Sequence, residues 1–366
     1  MKHTKLSALP VLAIGLLVLG AIVFAQGGDS NNYHLLTTIS IPSLLGFDIS
    51  WVDSNAGRYY LANRGNTTVT PPVLPNITVI DTENLKLLEP ITLTTAPNGV
   101  VAIHTGDDKA NGPSSTLVVG GSNSTAIFIN LSTTTQFAVS TGGKLRADEL
   151  AYDPVDHIIL IANDLEDRAT PPGSPFVSFI STEGTPTLLP KKIVYDGTLG
   201  NPKSTGGIEQ SVWNGAKKRF YLAIPSTEAN PHGEVDEIDP TTQEITGIFP
   251  TSCGPAGLVL ILGQRLMTSC GDVLQVPTGR VLDTVANVGG DEIWFNSGDE
   301  RVYFGGFNLI FVPVVFAANY NLINTLTVGT TAVTPFHTTH SVAADSELNR
   351  IFVPVSHEGV KVYIHN

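Results

Sequence analysis

Seven positions that recur at the same place in a repeated segment carry the side chains best suited to chemistry in this chain. Aligning the copies of the segment gives Asp48, Asn98, Asp148, Glu209, Pro255, Asp291 and His340. Four of the seven are acids, and carboxylate and amide oxygens are the ligands that hard cations such as calcium prefer. Converging carboxylates also repel one another, so an empty ring would raise some pKa values. The set predicts a site for a cation or a small molecule.

We assign ligand binding to six of these positions and a single divalent cation, calcium, to five of them. The ligand-binding set is Asp48, Asn98, Asp148, Glu209, Asp291 and His340, and the metal set is the same without His340. No organic cofactor is indicated, and His340 is the candidate catalytic residue, for proton transfer. Strand alternation should turn the following residues Glu149, Gln210 and Glu292 away from the first set, unless the register is one residue off. A solvated rim without a ligand is the alternative.

The segment that repeats is an apolar strand ending in Asp or Asn, then a turn, then a second apolar strand. In four copies an Arg follows five residues after the Asp or Asn: Asp53, Asn214, Asn296 and Asp345. Weaker copies begin near Asn98 and Pro255. The aligned positions are separated by 50, 50, 61, 46, 36 and 49 residues, and short strands with such periods are typical of propeller blades. An all-β, seven-bladed β-propeller is predicted, or six blades if a weak copy is not a blade.

The two ends of the repeat predict how the ring closes. The last copy runs out of chain after its third strand, and an unpaired strand, residues 34–41, precedes the first copy. Placing this N-terminal strand at the outside of the last blade completes both ends and leaves no open sheet edge. We therefore predict one propeller domain over residues 33–366. The aligned polar positions should then meet at one opening of the central channel.

Three long, proline-containing loops should emerge at that same opening, at residues 64–76, 164–175 and 225–233. Long loops on a rigid scaffold commonly carry binding function, although tolerated insertions have the same appearance. We expect a small molecule or a protein partner at this loop-bearing rim. Trp51, Trp213 and Trp294 are assigned to packing between blades, with a stacking platform for a ligand as the alternative.

The N-terminal 25 residues have the order of a secretory signal. A short basic start is followed by the uncharged apolar run 6–24, and small residues occupy positions 23 and 25. An uncleaved N-terminal anchor is the alternative, because 19 apolar residues nearly span a bilayer. Secretion to the periplasm or the extracellular space is therefore expected.

Charge narrows the class of partner. The formal net charge is −13, and it becomes −15 when Lys2 and Lys5 are removed with the signal. Such a protein is repelled by nucleic acid and by anionic membranes. We expect no nucleic-acid partner, a membrane only through an uncleaved N-terminal segment, and a monomer.

The two cysteines lie in matching short phrases, Thr251-Ser252-Cys253-Gly254 and Thr268-Ser269-Cys270-Gly271. In an exported protein two cysteines are expected to form one disulfide, Cys253–Cys270. Two unpaired buried thiols are the alternative.

Parts of the repeat resemble a known family. Tyr60-Leu61-Ala62-Asn63 followed by Ile77-Thr78-Val79-Ile80-Asp81 resembles the repeat of the YVTN-type β-propellers, and so does the last copy, residues 340–353. The resemblance covers residues 33–366 and implies the fold. The chain is also distantly similar to gluconolactonase-like and other lactonase propellers, which hold a divalent metal in the channel with Glu, Asn and Asp. That similarity implies a metal-dependent lactone or ester hydrolase.

Three functions follow from these observations. The first is an exported propeller that binds a small molecule or a partner at the acidic rim, organised by a cation. The second is the metal-dependent hydrolase, and the third is a structural cell-surface module. The sequence contains no Gly-x-Ser-x-Gly nucleophile elbow, phosphate loop or His-Glu-x-x-His zinc motif, so the chemistry of those motifs is not indicated.

Overall fold

The strands form seven antiparallel sheets arranged as the blades of a β-propeller, as the repeat predicts. The computed structural model describes residues 33–104, 112–306, 311–330 and 337–365. The predicted signal segment lies outside the described residues. Both weak copies of the repeat, near Asn98 and Pro255, are complete blades, so the seven-blade prediction is confirmed and six blades are not observed.

The first four blades follow one another along the chain. Blade 1 contains β2 (Gly46–Asp53), β3 (Arg58–Gly65), β4 (Asn76–Asp81), β5 (Lys86–Leu87) and β6 (Ile91–Thr92). Blade 2 contains β7 (Pro97–Ile103), β8 (Thr116–Gly121), β9 (Thr125–Asn130) and β10 (Gln136–Ser140). Blade 3 contains β11 (Arg146–Asp153), β12 (Ile158–Asp164), β13 (Phe176–Ser181) and β14 (Thr187–Val194), with a 3-10 helix at Glu166–Arg168. Blade 4 contains β15 (Ser211–Asn214), β16 (Arg219–Ile224), β17 (Glu234–Asp239) and β18 (Glu244–Pro250).

The last three blades include the closure of the ring. Blade 5 contains β19 (Leu258–Ile261), β20 (Arg265–Thr268), β21 (Asp272–Gln275) and β22 (Arg280–Thr284). Blade 6 contains β23 (Ile293–Asn296), β24 (Arg301–Phe304), β25 (Phe311–Phe316) and β26 (Asn321–Thr327). Blade 7 contains β27 (Ala343–Asp345), β28 (Arg350–Val355), β29 (Gly359–His365) and the N-terminal strand β1 (Tyr33–Ser40).

The repeated Asp or Asn closes the hairpin between the first two strands of a blade. Asp53 lies opposite Arg58 in the β2–β3 ladder, and its Oδ1 accepts a hydrogen bond from the backbone N–H of Ala56 in the turn (3.1 Å). Gly57, the residue before the Arg, has a φ of 61°, which favours glycine or a short polar side chain. The constant spacing of five residues therefore has a local cause, because it is the length of this capped turn.

The N-terminal strand closes the ring as predicted. β1 pairs antiparallel with β29 from Tyr33↔His365 to Ser40↔Gly359. Ile39 is buried in a cluster that contains Phe352 and Val360 of the same blade. The first and last strands of the chain thus share one sheet and one apolar core.

The apolar core lies between neighbouring blades rather than within any one of them. The second strands are the most buried: every residue of β12 is buried, whereas the outer strand β10 is mostly exposed. Middle strands are covered on both faces by adjacent blades, so their sequences are continuously apolar instead of alternating.

Cys253 and Cys270 are joined in a disulfide, with Cα atoms 5.9 Å apart. The predicted pairing is therefore confirmed, and the alternative of two free thiols is not observed. Among the residues that the structure describes, no helix has the length and apolar character needed to cross a membrane.

Candidate binding site in the central channel

The innermost strands are irregular where the aligned polar residues lie. Register shifts interrupt the first two strands of blades 1, 2 and 3, between Phe47 and Ser50, Pro97 and Val100, and Ala147 and Leu150. In blade 4 the N–H of Glu209 donates to the carbonyl of Ala223, and the N–H of Ala223 donates to the carbonyl of Gln210. Glu209 and Gln210 thus both lie opposite the single residue Ala223, which is the arrangement of a β-bulge.

These bulges change which side chains reach the channel. Strand alternation predicts that Glu149, Gln210 and Glu292 turn away when their neighbours turn inward. Gln210 does not line the cavity that Glu209 lines, as predicted, whereas Glu292 lines it together with Asp291 and the prediction is wrong there. In blade 3 Glu149 lines the cavity in place of Asp148, which is the alternative of a register one residue off. Both glutamates line the same cavity as Asp48, Glu209 and Asp291. A bulge adds a residue without a partner, so consecutive side chains are no longer forced to opposite faces.

The cavity at this rim has a volume of about 430 Å³, and nine of its fifteen lining residues are acids or arginines. Seven carboxylic acids and two arginines contribute to its wall. The lining residues are Asp48, Arg146, Glu149, Asp164, Leu165, Asp167, Arg168, Pro175, Ser204, Thr205, Gly206, Gly207, Glu209, Asp291 and Glu292. We call this space the polar chamber.

Two arginines neutralise the first acid of the ring. Arg64 and Arg146 both donate to Oδ2 of Asp48, the latter at 2.5 Å. Burial opposes ionisation of the Asp48 carboxyl, but Arg146 and Arg64, together with His340, outweigh that cost and hold its pKa below the usual value. Asp48 is therefore an ionised group whose charge is already compensated by the protein.

Asp148 and Asn98 do not line the chamber but contact the two arginines of the ring. Nε of Arg146 lies 2.8 Å from Oδ2 of Asp148, whose side chain is almost fully buried. Burial raises the pKa of Asp148 to about 8, although Arg146 acts in the opposite direction. Asn98 accepts a hydrogen bond from Arg64 (2.9 Å) and donates to the carbonyl of Ala147 (3.0 Å).

His340, in the last copy of the repeat, contacts residues of the first and the sixth copies. Its Nδ1 lies 3.0 Å from Oδ2 of Asp291, and its Nε2 lies 2.9 Å from the carbonyl oxygen of Phe47, whose ring it stacks on. Burial lowers the pKa of His340, but the hydrogen bond to Asp291 and the charge of Asp48 outweigh it, so the net shift is upward. Because each ring nitrogen faces an acceptor, the geometry favours the doubly protonated ring and leaves no lone pair directed at the chamber.

Among the described residues, no arginine forms an ion pair with Glu149, Glu209 or Glu292, although the charge of Arg146 acts on Glu209 from further away. Burial, with the charges of Asp148 and Asp164, raises the pKa of Glu209 well above its usual value. Burial raises the pKa values of Glu149 and Glu292 well above their usual range, with the charge of Glu292 adding to the shift of Glu149 and the charge of Asp291 adding to that of Glu292. Both carboxyls are therefore harder to ionise than exposed glutamates.

The sequence predicts that the ring holds calcium, and a calcium site needs several oxygen ligands that are free to contact the ion. The oxygen of Asp48 that faces the ring is occupied by two guanidinium groups, and Asp148 faces Arg146. Among the described residues, no group of three or more His, Cys, Asp or Glu side chains is placed to hold a metal ion. The residues as arranged do not fit the predicted metal set, because arginine supplies the positive charge there. The calcium assignment itself stays a prediction.

Several residues of the site were missed in the sequence. Arg146 lies two positions before Asp148, a spacing that could have placed both side chains on one face of the strand, and Arg64 directly follows the second strand's Asn63. Residues 204–207 come from the connection between blades 3 and 4. The φ of Gly207 is 88°, and a Cβ there would lie 2.9 Å from Oδ1 of Asp164, so glycine is needed at this wall.

The three predicted loops contribute unequally. Residues 164–175 supply Asp164, Asp167 and Arg168 to the wall, whereas Glu166 turns inward and accepts the backbone N–H groups of residues 144 and 145. The loop 225–233 contacts the wall indirectly, since its Ser226 hydrogen-bonds to Thr205 (2.7 Å). From the first loop, 64–76, it is Arg64 that reaches the ring.

The tryptophans pack between blades, as predicted, and the alternative of a stacking platform for a ligand stays a prediction. Trp51 and Trp294 pack edge to face, with ring centroids 5.1 Å apart, and each contacts apolar clusters between blades. All three tryptophans also line a second cavity further along the channel, of about 600 Å³. We call this space the apolar chamber.

Comparisons with known proteins add support for the fold. No family model matches the chain, and no curated protein matches it. A chain in the crystal structure of a mitotic checkpoint complex is similar in structure, with a TM-score of 0.66 over 98% of both chains and 12% sequence identity. At that identity the likeness shows the seven-bladed β-propeller and nothing finer. The YVTN-type and lactonase-like resemblances therefore stay predictions.

Proposed function

We propose that this protein is an exported binding propeller that holds a small polar molecule in the polar chamber. The observation that carries the proposal is a concave site of about 430 Å³ lined by seven carboxylic acids and two arginines on one rim of a rigid ring. The volume of this cavity falls within the range of small-molecule sites, and titratable groups with shifted pKa values in a cleft are frequent at functional sites. Export is supported by the disulfide, since such bonds persist in oxidising compartments.

The side chains that line the polar chamber indicate which class of ligand it binds. Acids outnumber arginines, and Glu209 and the Glu149–Glu292 pair are protonated more readily than ordinary carboxyls. Protonated carboxyls donate and accept hydrogen bonds, so the chamber suits hydroxyl groups and amines better than anions. A basic or hydroxyl-rich ligand is therefore proposed.

A matched series of six-carbon polyols tests this proposal. Sorbitol, glucamine and gluconate differ only in a neutral, cationic or anionic end, and calorimetric titration compares their affinities. We expect glucamine and sorbitol to bind more tightly than gluconate. Glu209→Gln and Asp291→Asn should weaken glucamine binding at least fivefold, whereas the exposed outer-strand variant Glu244→Gln should not. Tightest binding of gluconate, or unchanged affinity in both channel variants, would contradict the proposal.

The predicted cation and the predicted hydrolase are tested with the same material. Metal analysis of the purified protein and a calcium titration monitored by thermal unfolding test the cation, because a ligand of the folded state raises the melting temperature. Aryl esters and lactones, with and without a chelator, test hydrolysis. No specific contact favours cation binding or hydrolysis. Both ring nitrogens of His340 face hydrogen-bond acceptors and are not directed at the chamber for proton transfer, so ligand binding is the function proposed.

A further inference from the structure

The apolar chamber is separate from the polar chamber and differs from it in chemistry. It lies further along the innermost strands, past the acid ring, and its wall includes Trp51, Trp213, Trp294, Val101 and Leu260. These three are the only tryptophans in the sequence. Aromatic side chains at such density provide apolar contact area and faces that attract cations.

One end of the apolar chamber is acidic. Glu149 and Glu292 line both chambers and therefore mark the place where the two meet. Both side chains are buried, at 5% and 6% exposure. Gln210, beside them, is committed to the backbone: its amide oxygen accepts from the N–H of Leu258 (2.6 Å) and its amide nitrogen donates to the carbonyl of Ile293 (3.3 Å). Besides the carboxyl pair, Ser211 Oγ is a buried atom of this wall without a hydrogen-bond partner among the described residues, and the pair supplies the acidic groups at this end.

Acidic side chains surround the pair, and the nearby Arg146 and His340 are already engaged by Asp48 and Asp291. Asp48, Asp148 and Asp291 each raise the pKa of one or both glutamates through their negative charge. Among the described residues that line the apolar chamber, none is a lysine or an arginine. A cation placed at this acidic end would therefore be attracted, and an anion would be repelled.

We propose that the apolar chamber is a binding site for organic ammonium ions that carry an aromatic or aliphatic body. The ammonium end contacts the Glu149–Glu292 pair, and the apolar body packs against the tryptophan-lined wall. Each part of the ligand matches one part of the chamber: the cation matches the acidic end, and the apolar group matches the tryptophan-lined wall. The proposal does not depend on the ligand of the polar chamber.

Three probes of equal length test the charge requirement. 4-Phenylbutylamine, 4-phenylbutan-1-ol and 4-phenylbutyrate have the same body with a cationic, a neutral and an anionic end. Intrinsic tryptophan fluorescence measures their binding, because every tryptophan of the chain lines this chamber. We expect the amine to saturate the signal at a concentration at least tenfold lower than the alcohol, and the carboxylate to bind more weakly than the alcohol. Equal affinities of amine and alcohol, or no saturable change with any probe, would overturn the proposal.

Variants of the pair locate the interaction. In Glu292→Gln and Glu149→Gln the preference for amine over alcohol should fall below threefold, while the affinity for the alcohol changes less than twofold. Glu244→Gln, an exposed acid on the outer strand β18, is the matched control and should keep the full preference. A preference that persists in both channel variants would refute the assignment to this pair. Should a variant fail to fold, the comparison of the three probes on the parent protein decides alone.

Discussion

Replacing Arg146 with methionine should destabilise the propeller more than any surface ion-pair substitution, because Arg146 serves two buried acids. Its Nη2 lies 2.5 Å from Asp48 and its Nε 2.8 Å from Asp148, and the exposed fractions of those carboxylates are 6% and 1%. Removing one partner of a buried ion pair typically costs about 3–5 kcal/mol. Arg64 still contacts Asp48, so we expect the lower end, about 3 kcal/mol.

Urea unfolding measures this cost. With a slope of about 3 kcal/mol per M, which is ordinary for larger domains, the midpoint should fall by about 1 M. Arg219→Met is the matched control, because Arg219 pairs with Asp239 at 2.9 Å but has a 30% exposed side chain. Exposed pairs contribute about 0–1 kcal/mol, so its midpoint should move by less than a third of that amount.

A double variant identifies the reason for the loss. If the cost of Arg146→Met arises from an uncompensated carboxylate, adding Asp48→Asn should restore at least about 1 kcal/mol, since contacting residues couple by about 0.5–3 kcal/mol. An Arg146→Met protein as stable as Arg219→Met, or a double variant less stable than either single one, would refute the reasoning. Loss of packing by the arginine stem is distinguished in this way from loss of charge.

Three further predictions concern the ring and its acids. Ile39→Ala should lower the free energy of unfolding by about 2–4 kcal/mol, because it opens a cavity where β1 closes the ring. Leu36→Ala, on the same strand but 40% exposed, should change it by less than about 0.5 kcal/mol, and equal effects of the two variants in urea unfolding would argue against closure by β1. Cys253→Ser combined with Cys270→Ser should lower stability by about 3 kcal/mol, the value for a loop of about this length, and a melting temperature that does not change would contradict it. The buried acids with raised pKa values bind protons more tightly in the folded protein than in the unfolded chain. The free energy of unfolding should therefore fall as pH rises from 3.8, the unfolded pKa of Asp148, through about 8, by about 1.4 kcal/mol per pH unit for each such group that is still protonated in the folded protein. A melting temperature that rises over this pH window would refute the shifts.

The fold was largely readable from the sequence because its determinants are local and repeated. Asp53 with Arg58, and Asp345 with Arg350, mark hairpins whose capped turns need nothing beyond their own residues. Repetition then predicts the ring, since a blade cannot bury both faces of its sheet without neighbours. Even the closure by β1 followed from counting strands at the two ends of the chain.

The candidate site was readable only in part. The sequence identified Asp48, Glu209, Asp291 and His340 as residues of one rim, because they occupy one position of the repeat. It could not show that Asp148 lies behind the chamber, since a bulge shifts side chains between faces and leaves no mark in the pattern of apolar residues.

The tertiary structure alone decided what the acids face. Arg64 comes from β3, which pairs with the strand of Asp48 in blade 1, whereas Arg146 comes from β11 of blade 3, and the ring brings both to one opening. No local spacing encodes the meeting of Arg146 with Asp48. The same holds for Glu149 and Glu292, which are 143 positions apart in the sequence and line one cavity only because the ring brings blades 3 and 6 to the same channel. Composition and repetition determined the ring of acids, whereas the three-dimensional arrangement determined which of them carry charge.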